Sequence, residues 1–340
     1  MGIRSAVVVV ATSVALTCGT ASAAPPGAGA EERAGGVCSP QVRLRGYSDA
    51  LDKTEFGGRP VAGLSALAAG PDGRVDALSD RSALFTLGAR DHRPERVVPL
   101  ADEAGRPLDS EGLVQERDGS LLVSSETEPS VRHYAPDGRL LGRLPVPDEL
   151  RVAPEGRARE NQTLEGLTLS PDGRTLTAAM EGPLDGERPD AHGHRVVRFQ
   201  TWERDGRGAG EFRLGRQYRY AVDDTLFVPE ITALADGRLL VLERGYDERT
   251  GSTVRLHLAD PRRAASDGAP APKRLLADLG DCGTSGADGH AAEGSPLVDN
   301  IEGMAVTRGA RGGPLRLLLV SDDNESDSQV TRLYRLDVRL

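Results

Sequence analysis

A repeated hairpin restricts the fold of this chain more than any other feature. Its clearest copy runs Leu164-Glu165-Gly166-Leu167-Thr168-Leu169, turns at Asp172-Gly173, continues through residues 175–179 and reaches Glu181. Copies recur at Ser110-Glu111-Gly112-Leu113 with Asp118-Gly119 and Glu126, and at Pro229-Glu230-Ile231 with Asp236-Gly237 and Glu243. A weaker copy runs from Ala62-Gly63-Leu64 through Asp72-Gly73 to Asp80, and a fifth from Ile301-Glu302-Gly303-Met304 through Gly312-Gly313 to Asp322. Short apolar runs on both sides of Asp-Gly signal a β-hairpin. One hairpin cannot bury its apolar face alone, and four-stranded blades around a channel suit repeats of this length. The expected fold class is all-β, a β-propeller. Residues 41–44 and 331–340 read as strands that pair into a blade of their own, which makes six four-stranded blades. No sustained 3.6-residue period follows the N-terminal segment, which excludes helical bundles and doubly wound α/β folds.

The repeat also carries carboxylates. Glu111 lies seven residues before Asp118 and Glu126 seven after Gly119; for Glu165 and Glu181 the counts are seven and eight, and for Glu230 and Glu243 both are six. Equal offsets place residues opposite one another across an antiparallel hairpin. Each pair then lies at the open end of its hairpin, and the propeller gathers the pairs on one rim of the channel. The candidate metal ligands are Asp80, Glu111, Glu126, Glu165, Glu181, Glu230, Glu243, Glu302 and Asp322. Like charges held this close need a cation, and an all-oxygen set suits Ca²⁺ better than zinc or copper. Glu165 and Glu230 are the catalytic candidates, and Arg81 and Arg244 the candidates for gripping an anionic substrate. A structural ring is the competing reading, because Arg81 follows Asp80 and Arg244 follows Glu243 and could neutralise them locally.

Arg4, the apolar run 6–16 and Ala21-Ser22-Ala23 read as a Sec-type export signal covering residues 1–23. The run is too short to span a bilayer, and Leu16-Thr17 stand in the wrong order to make Cys18 a lipoprotein cysteine. A flexible segment, 24–40, and one propeller domain, 41–340, follow. The remaining cysteines, Cys38 and Cys282, are expected to form a disulfide in an oxidising compartment. The chain is thus expected to be secreted and monomeric, with no membrane span. Its net charge of −10 argues against a nucleic-acid partner. Only Lys53 and Lys273 among the 42 basic residues are lysines, which reads as the codon bias of a GC-rich genome.

The combination Leu164-Glu165-Gly166-Leu167, Asp172-Gly173 and Met180-Glu181-Gly182-Pro183-Leu184 resembles the phytase-like family described as having esterase-like activity of phytase. So do Val228-Pro229-Glu230-Ile231, Leu242-Glu243-Arg244-Gly245, Asn300-Ile301-Glu302-Gly303-Met304 and Val320-Ser321-Asp322-Asp323-Asn324. The resemblance covers residues 55–335 or so and implies an exported phytase-like β-propeller with hydrolase activity. It supplies no settled catalytic residues. Two departures stand out: Ala62 where other repeats have Glu, and Ile231 where they have Gly.

The function expected is hydrolysis of a phosphoester or carboxylic ester at a cation-loaded acidic mouth, without a serine or histidine nucleophile. A non-enzymatic ligand- or protein-binding propeller and a lactonase-like metal-dependent propeller are the alternatives. Gly-x-Ser-x-Gly is absent, which speaks against an α/β-hydrolase. His192 and His194 read as a solvated loop pair, and His92, His133, His257 and His290 as surface residues. The acidic run 322–327 is a candidate for one further calcium site.

Overall fold

The computed structural model describes residues 33–206, 210–223, 225–264, 268–283, 297–309 and 312–340. The expected signal, residues 1–23, and His290 lie outside them. Each Asp-Gly pair makes the turn the repeat requires. Gly73, Gly119, Gly173 and Gly237 have φ between 77° and 85°, a region open to glycine and costly for residues with a Cβ. The preceding Asp accepts the N–H two residues on, at 3.0 Å for Arg74, 2.9 Å for Ser120, and 3.1 Å for Arg174 and Arg238. Such side-chain caps fix the turn and with it the hairpin register.

Four antiparallel sheets of four strands and one of five result, with a small two-stranded hairpin of Glu55–Phe56 and Arg59–Pro60 beside them. Blade 1 comprises Leu64–Ala69, Val75–Ser79, Ala83–Leu87 and Pro94–Pro99. Blade 2 comprises Ser110–Gln115, Leu121–Ser125, Ser130–Tyr134 and Leu140–Leu144. Blade 3 holds Leu164–Leu169, Thr175–Met180, Val196–Glu203 and Arg213–Ala221. Blade 4 holds Phe227–Ala233, Leu239–Asp247, Gly251–Ala259 and Lys273–Asp278. In each blade the first strand is innermost, and the inner strands neighbour one another around a closed ring.

Five blades, not six, close the ring. Ile301–Arg308 and Leu315–Ser321 supply only half of blade 5. The C-terminal strand Leu333–Val338 pairs with Leu315–Ser321 on one side and with the N-terminal strand Val42–Ser48 on the other. The two chain ends therefore complete the fifth repeat instead of founding a sixth. Of segment 24–40, residues 33–40 are described, and Arg33–Ala34 pairs with the outer edge of that blade.

Apolar layers between adjacent blades form the core. Between blades 5 and 1, for example, Leu64, Leu67, Ala77 and Phe85 pack against Ala305, Leu318, Val320 and Leu333. A strand buried on both faces reads as an unbroken apolar run, as in Leu121–Leu122–Val123. The outermost strands are largely exposed. At the centre the inner strands come close. A Cβ on Gly112 would stand 2.5 Å from the Glu165 carbonyl oxygen of the next blade, so that position excludes a side chain.

Cys38 and Cys282 form the expected disulfide across 244 residues of chain. It ties the segment before the closing strand to the end of blade 4. Closing so long a loop removes chain entropy from the unfolded state, and Cys38→Ser with Cys282→Ser is expected to cost about 3–5 kcal/mol in urea unfolding.

Candidate functional site

Counting from the turns aligns the blades and sorts the candidate residues. Ser65, Glu111, Glu165 and Pro229 each lie seven residues before the Asp of their turn; Ala66, Gly112, Gly166 and Glu230 lie six before it. Asp80, Glu126 and Arg244 each lie seven after the turn glycine, and Glu181 eight. Backbone N–H groups anchor the second-strand carboxylates to the neighbouring strand: Asp80 to the Gly63 carbonyl, Glu126 to Asp109, Glu181 to Thr163 and Asp322 to Asn300. The end of the propeller opposite the turns thus carries Asp80, Glu126, Glu181, Arg244 and Asp322. Just inside stand Glu111, Glu165 and Glu302.

This alignment revises four sequence expectations. Blade 1 offers Ser65, not Ala62, at the Glu position. Blade 4 places Arg244, not Glu243, on the rim. Glu230 occupies the glycine position, and His257 is buried, not a surface residue.

Among the described residues, Glu230 joins no carboxylate cluster. It is 2% exposed. Its Oε1 accepts the Ile231 N–H at 2.8 Å, and the N–H groups of Leu167 and Met304, from blades 3 and 5, face the same carboxyl group. Burial raises its pKa well above the usual carboxylate range, and these three donors only partly offset that. It is a tie among three inner strands. At the turn end the inner strands of all five blades line a separate cavity of 370 Å³, with Leu67, Leu113, Leu167, Ile231 and Met304 among its walls.

Glu243 sits in another cluster, between blades 3 and 4. Its carboxylate accepts from Tyr220 Oη at 2.6 Å, the Asp223 N–H at 2.8 Å and Lys273 Nζ at 2.5 Å. Lys273 also reaches Asp223 Oδ1 at 2.8 Å, and His257 lies 3.5 Å from both acids. His257 and Lys273 hold Asp223 far below the usual range, outweighing its partial burial. An ammonium already occupies the place of a metal here. Lys273→Met is expected to cost about 1–2 kcal/mol by thermal unfolding, since it strands two carboxylates.

The acidic run 322–327 is filled in the same way. Lys53 Nζ donates to Asp323 Oδ2 at 2.8 Å, to the Ser326 carbonyl at 2.7 Å and to the Gln329 carbonyl at 3.1 Å. Both lysines of the chain therefore act as compact point charges among oxygens, where a planar guanidinium fits less well. Composition alone gave no hint of that.

On the rim, neutralisation is one-sided. Arg244 lies 2.6 Å from Glu302 Oε1 and 3.4 Å from Glu181 Oε1, and Asn300 Nδ2 donates to the same Glu302 oxygen at 2.9 Å. Burial opposes the Arg244 charge, but Glu302 and Glu181 raise its pKa regardless. Arg81 stands outside the ring, exposed, 3.0 Å from Glu325 and 3.9 Å from Asp80. Among the described residues, Asp109, Glu111, Glu126 and Glu165 have no ion-pair partner within 4 Å. The acceptor oxygens of Asp109, Glu111 and Glu126 lie within 4.8 Å of one another, as do those of Glu126, Glu165 and Glu181. Burial and then mutual repulsion raise the pKa values: Glu126 and Asp322 to about 8, Glu111 and Glu165 well above normal. Burial, with Glu302 adding to it, brings Glu181 to about 7 against the pull of Arg244, and burial brings Asp80 to about 6. Two oxygens bound to one Ca²⁺ at about 2.3–2.6 Å stand at most about 5 Å apart, so the spacing fits a hard cation. Asp109 is a ligand candidate that sequence reasoning missed. It lies two residues before Glu111, just outside the repeated motif.

Fold and site together define a five-bladed β-propeller whose inner strands gather a partly neutralised set of carboxylates at the end away from the turns. The family profile "Phytase-like: Esterase-like activity of phytase" matches residues 59–325, and the chain belongs to that family. An "Uncharacterized secreted protein" of Arthroderma benhamiae is 31% identical over 105 residues, a match covering 24% of this chain and 20% of that protein. Among solved structures, the PQQ-bound aldose sugar dehydrogenase of Streptomyces coelicolor is similar at TM-score 0.44 and 13% identity, covering 89% of this chain and 100% of that one. The gluconolactonase XC5397 of Xanthomonas campestris is similar at TM-score 0.44 and 15% identity, covering 83% and 74%. Likeness this distant bears on no activity. Among the described residues no helix is long and apolar enough to cross a membrane.

Proposed function

We propose that this is an exported hydrolase that cleaves a phosphoester or carboxylic ester at the un-neutralised side of the channel mouth, loaded with Ca²⁺. One observation carries the reading: two neighbouring acidic clusters hold a lysine ammonium, while Asp109, Glu111, Glu126 and Glu165 converge with no cationic side chain among the described residues bonded to them. A bound divalent cation would supply positive charge for an anionic substrate and make a water more acidic. Glu111, Glu126 and Glu165 would hold it. Glu181, beside Glu126 and Glu165, is the carboxylate placed to accept a proton. Arg244, poised between Glu181 and Glu302, would orient the substrate's anionic group. Glu230 has no part in this chemistry.

The test is turnover of p-nitrophenyl phosphate and p-nitrophenyl acetate, with Ca²⁺ and with chelator. Glu165→Gln is expected to lose activity about 100-fold while still unfolding cooperatively in urea. Full activity in that variant or in chelator would remove the site. The disulfide and the secreted relative support export, and secreted protein is expected to begin at Ala24.

A further inference from the structure

We infer that the un-neutralised side holds two divalent cations bridged by Glu126, not one; the inference rests on the cation reading above. Two ligand triads exist, Asp109–Glu111–Glu126 and Glu126–Glu165–Glu181, each compact to within 4.8 Å, and Glu126 is the residue they share. The first is built from blade 2. The second reaches across to the inner and second strands of blade 3. Five carboxylates split over two blades around one common member make two overlapping ligand sets.

Three further observations support this. Ser65 Oγ, 3% exposed and without a hydrogen bond of normal geometry, faces Glu111 from the Glu position of blade 1. A buried hydroxyl that faces a carboxylate outside normal hydrogen-bond geometry suits a ligand shell that it completes. Charge also favours a second ion: Asp109, Glu111, Glu126, Glu165 and Glu181 carry five formal negative charges, and among the described residues the first four have no ion-pair partner, so one divalent cation leaves most of that charge unmatched. Glu181 already shares Arg244. Finally, Thr163 fixes the bridge. Its N–H donates to Glu126 Oε1 at 3.2 Å and its hydroxyl to the Glu126 carbonyl at 2.6 Å, which orients the carboxylate. Carboxylate-bridged pairs of this kind hold their ions about 3.5–4 Å apart.

Chelator-stripped protein titrated with Mn²⁺, a hard ion visible by electron paramagnetic resonance, tests this without any substrate. Two Mn²⁺ per chain with an exchange-coupled spectrum are expected. Glu165→Gln is expected to keep one ion with an isolated six-line spectrum, Glu126→Gln to weaken both sites at least 10-fold, and Ser65→Ala to weaken one. A single Mn²⁺ in the parent protein, or two uncoupled ions, would overturn the bridged pair and leave the cation reading standing. No bound Mn²⁺ would overturn both. Unfolding midpoints of the chelated variants identify any that fail to fold, and the parent protein's stoichiometry decides without them.

Discussion

Glu230→Ala is expected to destabilise the protein by roughly 4–5 kcal/mol in urea unfolding, the largest effect of any substitution at the channel. Removing the carboxyl group leaves up to three buried N–H groups unsatisfied, of Ile231, Leu167 and Met304, each costing about 1–3 kcal/mol less whatever water recovers. It also opens a cavity where three inner strands converge. Glu230→Gln should behave differently. Burial holds Glu230 toward its neutral form, and an amide presents the same acceptor oxygen in nearly the same volume. A cost below about 1 kcal/mol is expected for Gln. Equal losses for Ala and Gln would mean that a charge, not an acceptor, matters there.

The second large effect changes sign with conditions. In chelator, Glu126→Gln is expected to be more stable than the parent by about 3–4 kcal/mol at pH 9 and no more stable than the parent at pH 4. Folding raises the pKa of Glu126 to about 8, of Asp322 to about 8 and of Glu181 to about 7, burial being the first cause in each. A carboxyl group with a raised folded pKa stabilises the fold while protonated. That contribution is complete below the unfolded value of about 4.3 and is lost as pH rises through about 7–8. Cation-free protein should therefore lose stability steadily between pH 5 and 9. Saturating Ca²⁺ should reverse the order of the two proteins, because only the parent keeps the full ligand set. Urea midpoints across pH, with and without Ca²⁺, check both halves. A parent protein whose chelated stability is flat from pH 5 to 9 would show that the rim is already neutralised.

The propeller was legible because each hairpin carries its own turn signal, and Asp-Gly with flanking apolar runs needs no distant partner to be read. Blade count was not legible. The strands Val42–Ser48 and Leu333–Val338 pair across almost the whole chain, and nothing local tells a shared blade from a new one. The rim was legible as a carboxylate ring but not in detail. Glu230 keeps the motif's residue type while standing one place nearer the turn, and in a strand one place reverses the direction of the side chain. Arg244 could have been found by counting, since it shares its offset with Asp80 and Glu126. Pairing of Lys53 and Lys273 with oxygens from distant segments depends on loop packing, which no local pattern encodes.

Calorimetric titration of the chelator-stripped protein with Ca²⁺ at pH 8 tests the central claim most directly. Saturable binding near micromolar, weakening as pH falls from 8 to 6 while protons reoccupy the rim, is the expected result. No heat of binding up to millimolar Ca²⁺ would contradict it and leave the mouth a ring of protonated, structural carboxyl groups.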